Sequence, residues 1–402
     1  MSNTQKKNVP ELRFPGFEGE YSLDIFGNLA TNKSDKFNPQ NENASIDIEL
    51  DCIEQNTGRL IKIYNSKEFS SQKNKFNPQN VLYGKLRPYL NKYYFTKKSG
   101  VCSSEIWVLK STKEDKLLNL FLYYFIQTKR YSDVASKSAG SKMPRADWGL
   151  IENIRVYFPE LCEQQKIGQF FSKLDRQIEL EEQKLELLQQ QKKGYMQKIF
   201  SQELRFKDEN GNDYPDWEEK QLGEVAEIIG GGTPSTKNKL YWNGEINWFS
   251  PIEIGNKTYV YSSQKKITEE GLRKSSAKIL PVGTILFTSR AGIGKTAILA
   301  KESTTNQGFQ SIVPRKGLLD SYYVYTISNI LKILAEKVGA GSTFSEISKK
   351  QMEQLNLNIP MIKEQKNISK FFSKFDNLIE IHERKLEFLK QRKQSLLQKM
   401  FV

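Results

Sequence analysis

The chain contains few of the residues on which most metal and nucleophile chemistry depends. It has a single histidine, His382, so Ser/His or Cys/His catalysis and clustered histidine metal ligands are almost excluded. Its three cysteines, Cys52, Cys102 and Cys162, are odd in number and form no C-x-x-C pair. They argue against a disulfide scaffold or a zinc site and indicate a reducing compartment, so the cytoplasm is the expected location.

Long apolar runs are also missing. The first residues, "MSNTQKKNVPELRF", have no apolar signal core, and no run reaches the roughly 18 apolar residues that a membrane span needs. We therefore expect a soluble protein that does not cross a membrane.

Positive charge is in excess. The chain has 61 Lys and Arg against 47 Asp and Glu, a net charge of +14 over 402 residues. This balance favours nucleic acid, an anionic membrane surface or an acidic protein as partner. Because no segment is a polybasic tail, contacts with an anion have to come from local patches on folded domains, of which this length allows two or three.

The most specific signal is an internal repeat. The segment "PELCEQQKIGQFFSKLDRQIELEEQKLELLQQQKKGYMQKIF", residues 159–200, returns as "PMIKEQKNISKFFSKFDNLIEIHERKLEFLKQRKQSLLQKMF", residues 360–401, and about half of the positions are identical. The two copies are 201 residues apart without a gap. Looser matches ahead of them, such as "ELRF" at Glu11 and again at Glu203, indicate that the whole chain is duplicated.

Each copy carries a heptad pattern. Mostly apolar positions step alternately by four and three residues, which is typical of a coiled-coil seam. In the first copy they are Ile167, Phe171, Leu174, Ile178, Glu181, Leu185, Leu188, Lys192, Tyr195 and Ile199. We expect two long helices, beginning near Glu163 and Glu364, that pair with each other in antiparallel fashion. His382 lies in the seam at the position equivalent to Glu181 and is expected to set the helix register.

The segments between the helices have a mixed character. β-Branched and aromatic runs such as "EIWVL" and "SIVP" predict strands, and "KLLNLFLYYFIQT" and "LLDSYYVYTISNILKIL" predict helices. The predicted fold class is α+β, with two mixed domains, residues 1–159 and 201–360, each followed by a helical spacer, residues 160–200 and 361–402. Together they form an internal pseudo-two-fold repeat.

The stretch "ILFTSRAGIGKTAILA", residues 285–300, resembles a nucleotide-binding P-loop. The G-x-x-x-x-G-K-[ST] pattern requires glycine where the chain has Ser289, and no helix-forming segment follows Thr296. "KFNPQNVLYGKLR" at Lys75 aligns with "KILPVGTILFTSR" at Lys278 if one inserted residue is allowed, so the first half of the chain has a counterpart without Gly-Lys-Thr. A basic, glycine-rich loop that contacts phosphate of a nucleic acid is the favoured interpretation, and a P-loop ATPase is the alternative.

The candidate DNA contacts are basic, amide and hydroxyl side chains interleaved with an aromatic residue, of the types that bind base edges and phosphates. In the first half they are Lys85, Arg87, Tyr89, Lys92, Lys142 and Arg145. In the second half they are Ser289, Arg290, Lys295, Asn306, Gln307 and Thr343.

Two similar domains on helical spacers suit a ligand with two sites at a fixed separation, and duplex DNA is such a ligand. Because the domains share little sequence, the expected target is bipartite and asymmetric, with an unread spacer whose length the helices set.

The whole chain resembles the DNA specificity subunit of type I restriction-modification enzymes, most closely in the repeated "EQQKIGQFFSKLDRQIELEEQKLELLQQQKKGYMQKIF" segment and in "ELRFPGF". The resemblance implies a subunit that is not itself a catalyst. It would bind double-stranded DNA, two adenine methyltransferase (modification) subunits and the restriction subunits. S-adenosylmethionine, ATP and Mg²⁺ would belong to those partners, with no cofactor in this chain.

Residues that are identical in both helical copies are expected on the outer faces, where they would dock the modification subunits. They are Phe170, Lys173, Asp175 and Gln197 in the first copy and Phe371, Lys374, Asp376 and Gln398 in the second. A coiled-coil adaptor without a nucleic-acid role is a further alternative, which predicts no salt-dependent DNA binding.

Overall fold

The structure is a computed structural model that describes residues 8–42, 44, 46–68, 71–137, 143–290, 292–339 and 346–402. It divides into two compact units: residues 1–184 with 382–402, and residues 185–381. Each unit contains one mixed α and β part together with segments of both long helices. The α+β fold class is thus confirmed.

Within the described residues, the first half of the chain forms ten strands and five helices, together with three short 3₁₀ turns. In chain order they are β1 (Ser22–Ile25), α1 (Phe26–Leu29), β2 (Ala30–Thr31), β3 (Lys36–Phe37), β4 (Asp47–Ile48), turns Leu50–Cys52 and Ser66–Glu68, β5 (Lys73–Phe76), β6 (Val81–Gly84), turn Pro88–Leu90, β7 (Tyr93–Phe95), β8 (Gly100–Cys102), β9 (Ile106–Ser111), α2 (Asn119–Phe125), α3 (Lys129–Ala135), α4 (Trp148–Ile151), β10 (Arg155–Phe158) and α5 (Leu161–Phe200).

The second half repeats this plan. Its elements are β11 (Glu218–Gln221), α6 (Leu222–Val225), β12 (Ala226–Gly230), turn Lys239–Tyr241, β13 (Trp242–Phe249), turn Pro251–Glu253, β14 (Tyr259–Val260), β15 (Lys265–Ile267), α7 (Glu269–Arg273), β16 (Ile285–Phe287), β17 (Thr296–Leu299), β18 (Thr304–Thr305), β19 (Gln310–Pro314), α8 (Ser321–Thr326), α9 (Ser328–Gly339), α10 (Lys349–Glu353), β20 (Asn356–Ile359) and α11 (Ile362–Met400).

The sheets of the two units correspond in part. The first unit has four-stranded sheets of order β2-β9-β6-β7 and β3-β5-β8-β4, and the second has sheets of order β12-β19-β16-β17-β14 and β15-β13-β18. The central strands β6 and β16 are buried throughout, as their continuous apolar sequences require. In each unit a two-stranded ribbon, β1-β10 or β11-β20, holds the strand that enters the long helix.

The long helices pair as expected. In the first unit Phe171 of α5 lies against Phe401, just beyond the end of α11, and Asp175 of α5 binds Lys393 of α11 at 2.7 Å. In the second unit Lys192 of α5 binds Asp376 of α11. As the residue number increases along α5, the number of the contacting residue in the C-terminal segment decreases. The two helices are therefore antiparallel within each unit.

His382 occupies the seam of the first unit and is buried. Its Nδ1 contacts the carboxylate of Glu181, the residue at the equivalent position of the first repeat, and Lys385 binds the other oxygen of that carboxylate at 2.7 Å. Although burial opposes ionisation, the hydrogen bonds from His382 and Lys385 outweigh it and lower the pKa of Glu181. The seam position of His382 is confirmed, and its role in setting register stays a prediction.

The apolar core of each unit joins its sheets to its helices. Phe171 packs with Tyr124 and Phe401 in the first unit, and Phe372 stacks on Phe200 in the second. Because the long helices carry part of each core, the globular domains and their helices are single packed bodies within each unit.

Candidate nucleic-acid interface

Each long helix has a buried glutamate and glutamine in its first turn, and both side chains bind the α+β part of the same unit. Arg13 binds Glu163 through Nε at 2.9 Å and a terminal nitrogen at 2.7 Å. Arg205 binds Glu364 in the same way, at 3.2 and 2.8 Å. Hydrogen bonding to these carboxylates raises the pKa of both arginines. The repeated "ELRF" thus ties each N-terminal segment to its helix.

The glutamine that follows each of these carboxylates has an equally local task. Gln164 donates to the carbonyls of Lys116 and Pro159 and accepts from the amide of Leu118. Gln365 makes the equivalent three hydrogen bonds in the second unit. The sequence interpretation missed these four buried residues, although their identity between the copies was a visible signal.

The expected docking residues divide into three groups. Lys173, Gln197, Lys374 and Gln398 are exposed, as predicted for outer faces. Phe170 and Phe371 are half-buried, and their rings pack edge-on against Phe14 and Phe206.

The two aspartates are a correction to the expected outer-face positions. Asp175 accepts a hydrogen bond from Tyr124 at 2.9 Å and binds Lys393, and Asp376 accepts from Tyr322 at 2.6 Å and binds Lys192. Their identity between the copies therefore reflects contacts within the chain.

The loop that follows β6 forms a first edge, defined as residues 85–92, 103–105 and 144–146. The amide of Lys85 donates to the carbonyl of Glu105 at 3.0 Å, and the carbonyl of Lys85 accepts from Ala146 at 2.8 Å. The amide of Arg87 donates to Pro144 at 2.8 Å. These backbone bonds bring Lys85, Arg87 and Arg145 to one surface of the first unit.

The side chains of this edge differ in availability. Arg87 and Tyr89 are exposed, and Arg87 has a positive φ of 53°, a conformation that costs a non-glycine residue energy and is often found at functional loops. Lys92 donates to the carbonyl of Leu50 at 2.5 Å, and Arg145 binds Glu105 with two nitrogens at 3.0 and 3.2 Å. Lys142 lies outside the described residues.

An equivalent second edge consists of residues 288–290, 292–295, 306–308 and 346–347. The amide of Ser289 donates to Gly308 at 2.8 Å, and its carbonyl accepts from Ile347 at 3.0 Å. These are the bonds that Lys85 makes in the first unit. Leu86 forms an isolated antiparallel β-bridge with Arg145, and Arg290 forms one with Glu346. Leu86 is therefore the backbone counterpart of Arg290. This correspondence is shifted by one residue from a gap-free alignment of the two segments, which is the single insertion that the sequence comparison allowed.

The Gly-Lys-Thr turn belongs to this second edge. It joins antiparallel strands β16 and β17, which pair as Phe287 with Thr296. Gly292 and Gly294 have φ of 105° and 94°, which favour glycine. A P-loop requires a helix after its lysine, whereas Thr296 begins a strand. The nucleotide-binding alternative is therefore contradicted.

The other predicted residues of the second edge are placed as follows. Lys295 and Gln307 are exposed, and Arg290 and Asn306 are half-buried. Ser289 is fully buried, so its hydroxyl does not face solvent, which corrects its selection as a contact. Thr343 lies outside the described residues.

The described part of the chain offers little for other chemistry. No group of His, Cys, Asp and Glu side chains within the described ranges could hold a metal ion. Burial raises the pKa of the Cys52 thiol to about 11, and the three cysteines are free. Among the described helices, none has the length and apolar character to cross a bilayer.

The fold defines a class of protein: a duplicated chain in which two α+β parts, each packed on paired long helices, present equivalent loop edges with different side chains. The chain belongs to the family of the type I restriction modification DNA specificity domain, whose model matches residues 20–190 and 214–391.

Several known proteins are similar. The type I restriction enzyme MjaIX specificity subunit of Methanocaldococcus jannaschii is 37% identical over 211 residues, 50% of this chain and 48% of that protein. The EcoR124I/EcoR124II specificity subunit of Escherichia coli is 36% identical over 166 residues, 40% of this chain and 41% of that protein. The matched regions thus span about half or less of these two relatives.

The fold likeness extends over the whole chain. The type I restriction-modification S subunit from M. genitalium has a TM-score of 0.63 at 15% identity and covers 98% of this chain and 99% of its own. This likeness concerns the fold alone.

Proposed function

We propose that the chain is the DNA specificity subunit of a type I restriction-modification complex and reads a bipartite, asymmetric target in double-stranded DNA. The observation that carries the proposal is the pair of equivalent edges: Lys85 and Ser289 make the same backbone bonds, yet the side chains around them differ. Two loop edges with the same backbone structure but different side chains suit two half-sites of different sequence.

The contacts are assigned by exposure and residue chemistry. Arg87, Tyr89 and Lys85 serve the first half-site, and Lys295, Arg290, Gln307 and Asn306 serve the second. Arg145 and Lys92 act mainly by holding the first edge in place, since both bind within the chain. The excess of positive charge supports salt-dependent attraction to phosphate.

The partners follow from the helical repeats and from the relatives' names as subunits of type I restriction enzymes. In this proposal two modification subunits bind the two copies of the helical surface, and restriction subunits complete the complex. Catalysis, with S-adenosylmethionine, ATP and Mg²⁺, belongs to those subunits and none of it to this chain.

The central experiment is to express the chain in cells together with the type I adenine methyltransferase subunit of its own organism. DNA from those cells is then sequenced to locate methylated adenine. We expect one split, asymmetric motif, together with DNA binding by the complex that weakens steeply as salt is raised. Absence of any motif would contradict the proposal, and absence of salt-dependent binding would favour the adaptor alternative.

Docking is tested with the exposed identical residues. The double variant Lys173→Glu/Lys374→Glu reverses one charge on each copy of the helical surface and should weaken co-purification with the methyltransferase by about tenfold or more, because like charges across an interface repel. Lys193→Glu is the matched control, since Lys193 is exposed on α5 and is not repeated in α11. Undiminished co-purification of the double variant would show that docking does not use these positions.

A further inference from the structure

One apolar side chain near the second edge is almost completely exposed. Ile252 has 83% of its surface accessible, the largest fraction among the large apolar residues that the structure describes as exposed. A single exposed isoleucine is unremarkable on a mobile loop. Its significance here depends on how firmly it is held and where it lies.

The turn that carries Ile252 is braced on both sides. Pro251 occupies its first position, and Glu253 accepts hydrogen bonds from the amide and hydroxyl of Ser250 at 2.8 and 2.7 Å. The other oxygen of Glu253 accepts from the amide of Gln264 at 2.6 Å. Such a capping box fixes the backbone, so the position of Ile252 is set before any ligand binds.

This turn lies directly against the loop that contains Asn306 and Gln307. The amide of Asn306 donates to the carbonyl of Phe249 at 3.0 Å, and a methyl group added to Gly308 would lie 2.8 Å from Cγ of Pro251. The Asn306 side-chain oxygen accepts from the amide of Gly308 at 2.8 Å, which directs its NH₂ group away from that bond. The turn that carries Ile252 and the loop that carries the Asn306 amide donor are thus packed against each other.

The first unit has the same turn with different chemistry. There the amide of Ser103 donates to the carbonyl of Ile48 at 3.0 Å, just as Asn306 donates to Phe249. Counting from these bonds, Asp51 stands where the second unit has Ile252. Asp51 is bound by Lys62 at 2.6 Å and by Tyr64 at 2.9 Å. The position therefore varies between the domains while its backbone setting is kept.

We propose that Ile252 is a specificity-determining residue that contacts the 5-methyl group of a thymine in the half-site read by the second domain. The inference rests on the proposed function. Thymine is the only base that presents a methyl group in the major groove, and its O4 accepts a hydrogen bond. An exposed isoleucine on a braced turn, packed against a loop that offers an amide donor, suits that base.

The test uses the complex with its methyltransferase and the motif found by methylation sequencing. Ile252→Ala should relax the motif at one A·T position of one half and leave the other half unchanged. In binding measurements, deoxyuridine in place of that thymine should weaken the wild-type complex by about fourfold, the value of one buried methyl group. The same replacement should leave the Ile252→Ala complex unaffected.

Ile333→Ala is the control, because Ile333 is an exposed isoleucine on α9 of the same unit. It should keep both the motif and the deoxyuridine effect. An unchanged motif for Ile252→Ala would overturn the inference. So would an Ile252→Ala complex that loses affinity, relative to the wild type, by the same factor for the thymine duplex as for the deoxyuridine duplex. If the wild-type complex methylates no motif at all, the proposed function itself is wrong, so the two failures are distinguishable.

Discussion

Replacing Glu364 with alanine should lower the free energy of unfolding by about 3 to 5 kcal/mol, measured by denaturant titration of the purified chain. The carboxylate is buried and accepts two hydrogen bonds from Arg205 and one from the indole of Trp217 at 3.2 Å. Its removal takes away the buried carboxylate that pairs with the mostly buried guanidinium of Arg205, which keeps only the carbonyl of Pro215 at 2.6 Å and the exposed Asp216 at 3.5 Å. Losing one partner of a buried ion pair costs more than the pair itself contributes.

Two further variants separate charge from helix effects. Glu383→Ala changes the same residue type at an exposed position of the same helix and should alter stability by less than about 0.5 kcal/mol. Glu364→Gln keeps the shape and one acceptor, so it should fall between the two. Equal stability of Glu364→Ala and Glu383→Ala would show that the ion pair of Arg205 with Glu364 does not hold the segment around Arg205 on α11.

Replacing Phe372 with alanine should also lower the free energy of unfolding, by about 3 to 5 kcal/mol, because it opens a cavity in a packed core. The ring is fully buried and stacks on Phe200 with centroids 6.3 Å apart and an interplanar angle of 16°. The loss should appear in thermal unfolding as well as in denaturant titration.

Phe388 provides the matched control for this change. It lies on the same helix with 60% of its surface exposed, so Phe388→Ala removes the same atoms without opening a cavity. We expect its melting temperature to stay close to that of the wild type. A Phe372→Ala protein as stable as Phe388→Ala would mean that α11 contributes little to the core of the second unit.

The sequence predicted the fold to a large extent because its strongest signals are periodic. The heptad spacing of Phe171, Leu174 and Ile178 predicted long helices, which begin at Leu161 and Ile362, two residues before the expected starts. Pairing within the chain was expected because each helix had a partner there, and the antiparallel sense was expected from the dyad symmetry of duplex DNA. Such a periodic pattern predicts a helix reliably because the apolar positions lie on the face of the helix that becomes buried.

The candidate site was predicted less well. The ion pair of Arg145 with Glu105 and the contacts of Asp175 and Asp376 depend on residues 40 or more positions away, and the burial of Ser289 could not be read from its neighbours in sequence. Ile252 was missed altogether, although "SPIE" has the Ser-x-x-Glu spacing of a capping box. Local pattern can suggest such a turn, but it cannot say what lies beside it.

By itself, the sequence determined that the chain is duplicated, that its helices are long and amphipathic, and that its family is that of DNA specificity subunits. Only the tertiary structure decided that the Gly-Lys-Thr segment is a hairpin turn and that identical residues such as Glu163 and Gln164 bind within their own unit. The physical reason is that periodicity and repeats are properties of the chain, whereas exposure and pairing arise only when distant segments pack together.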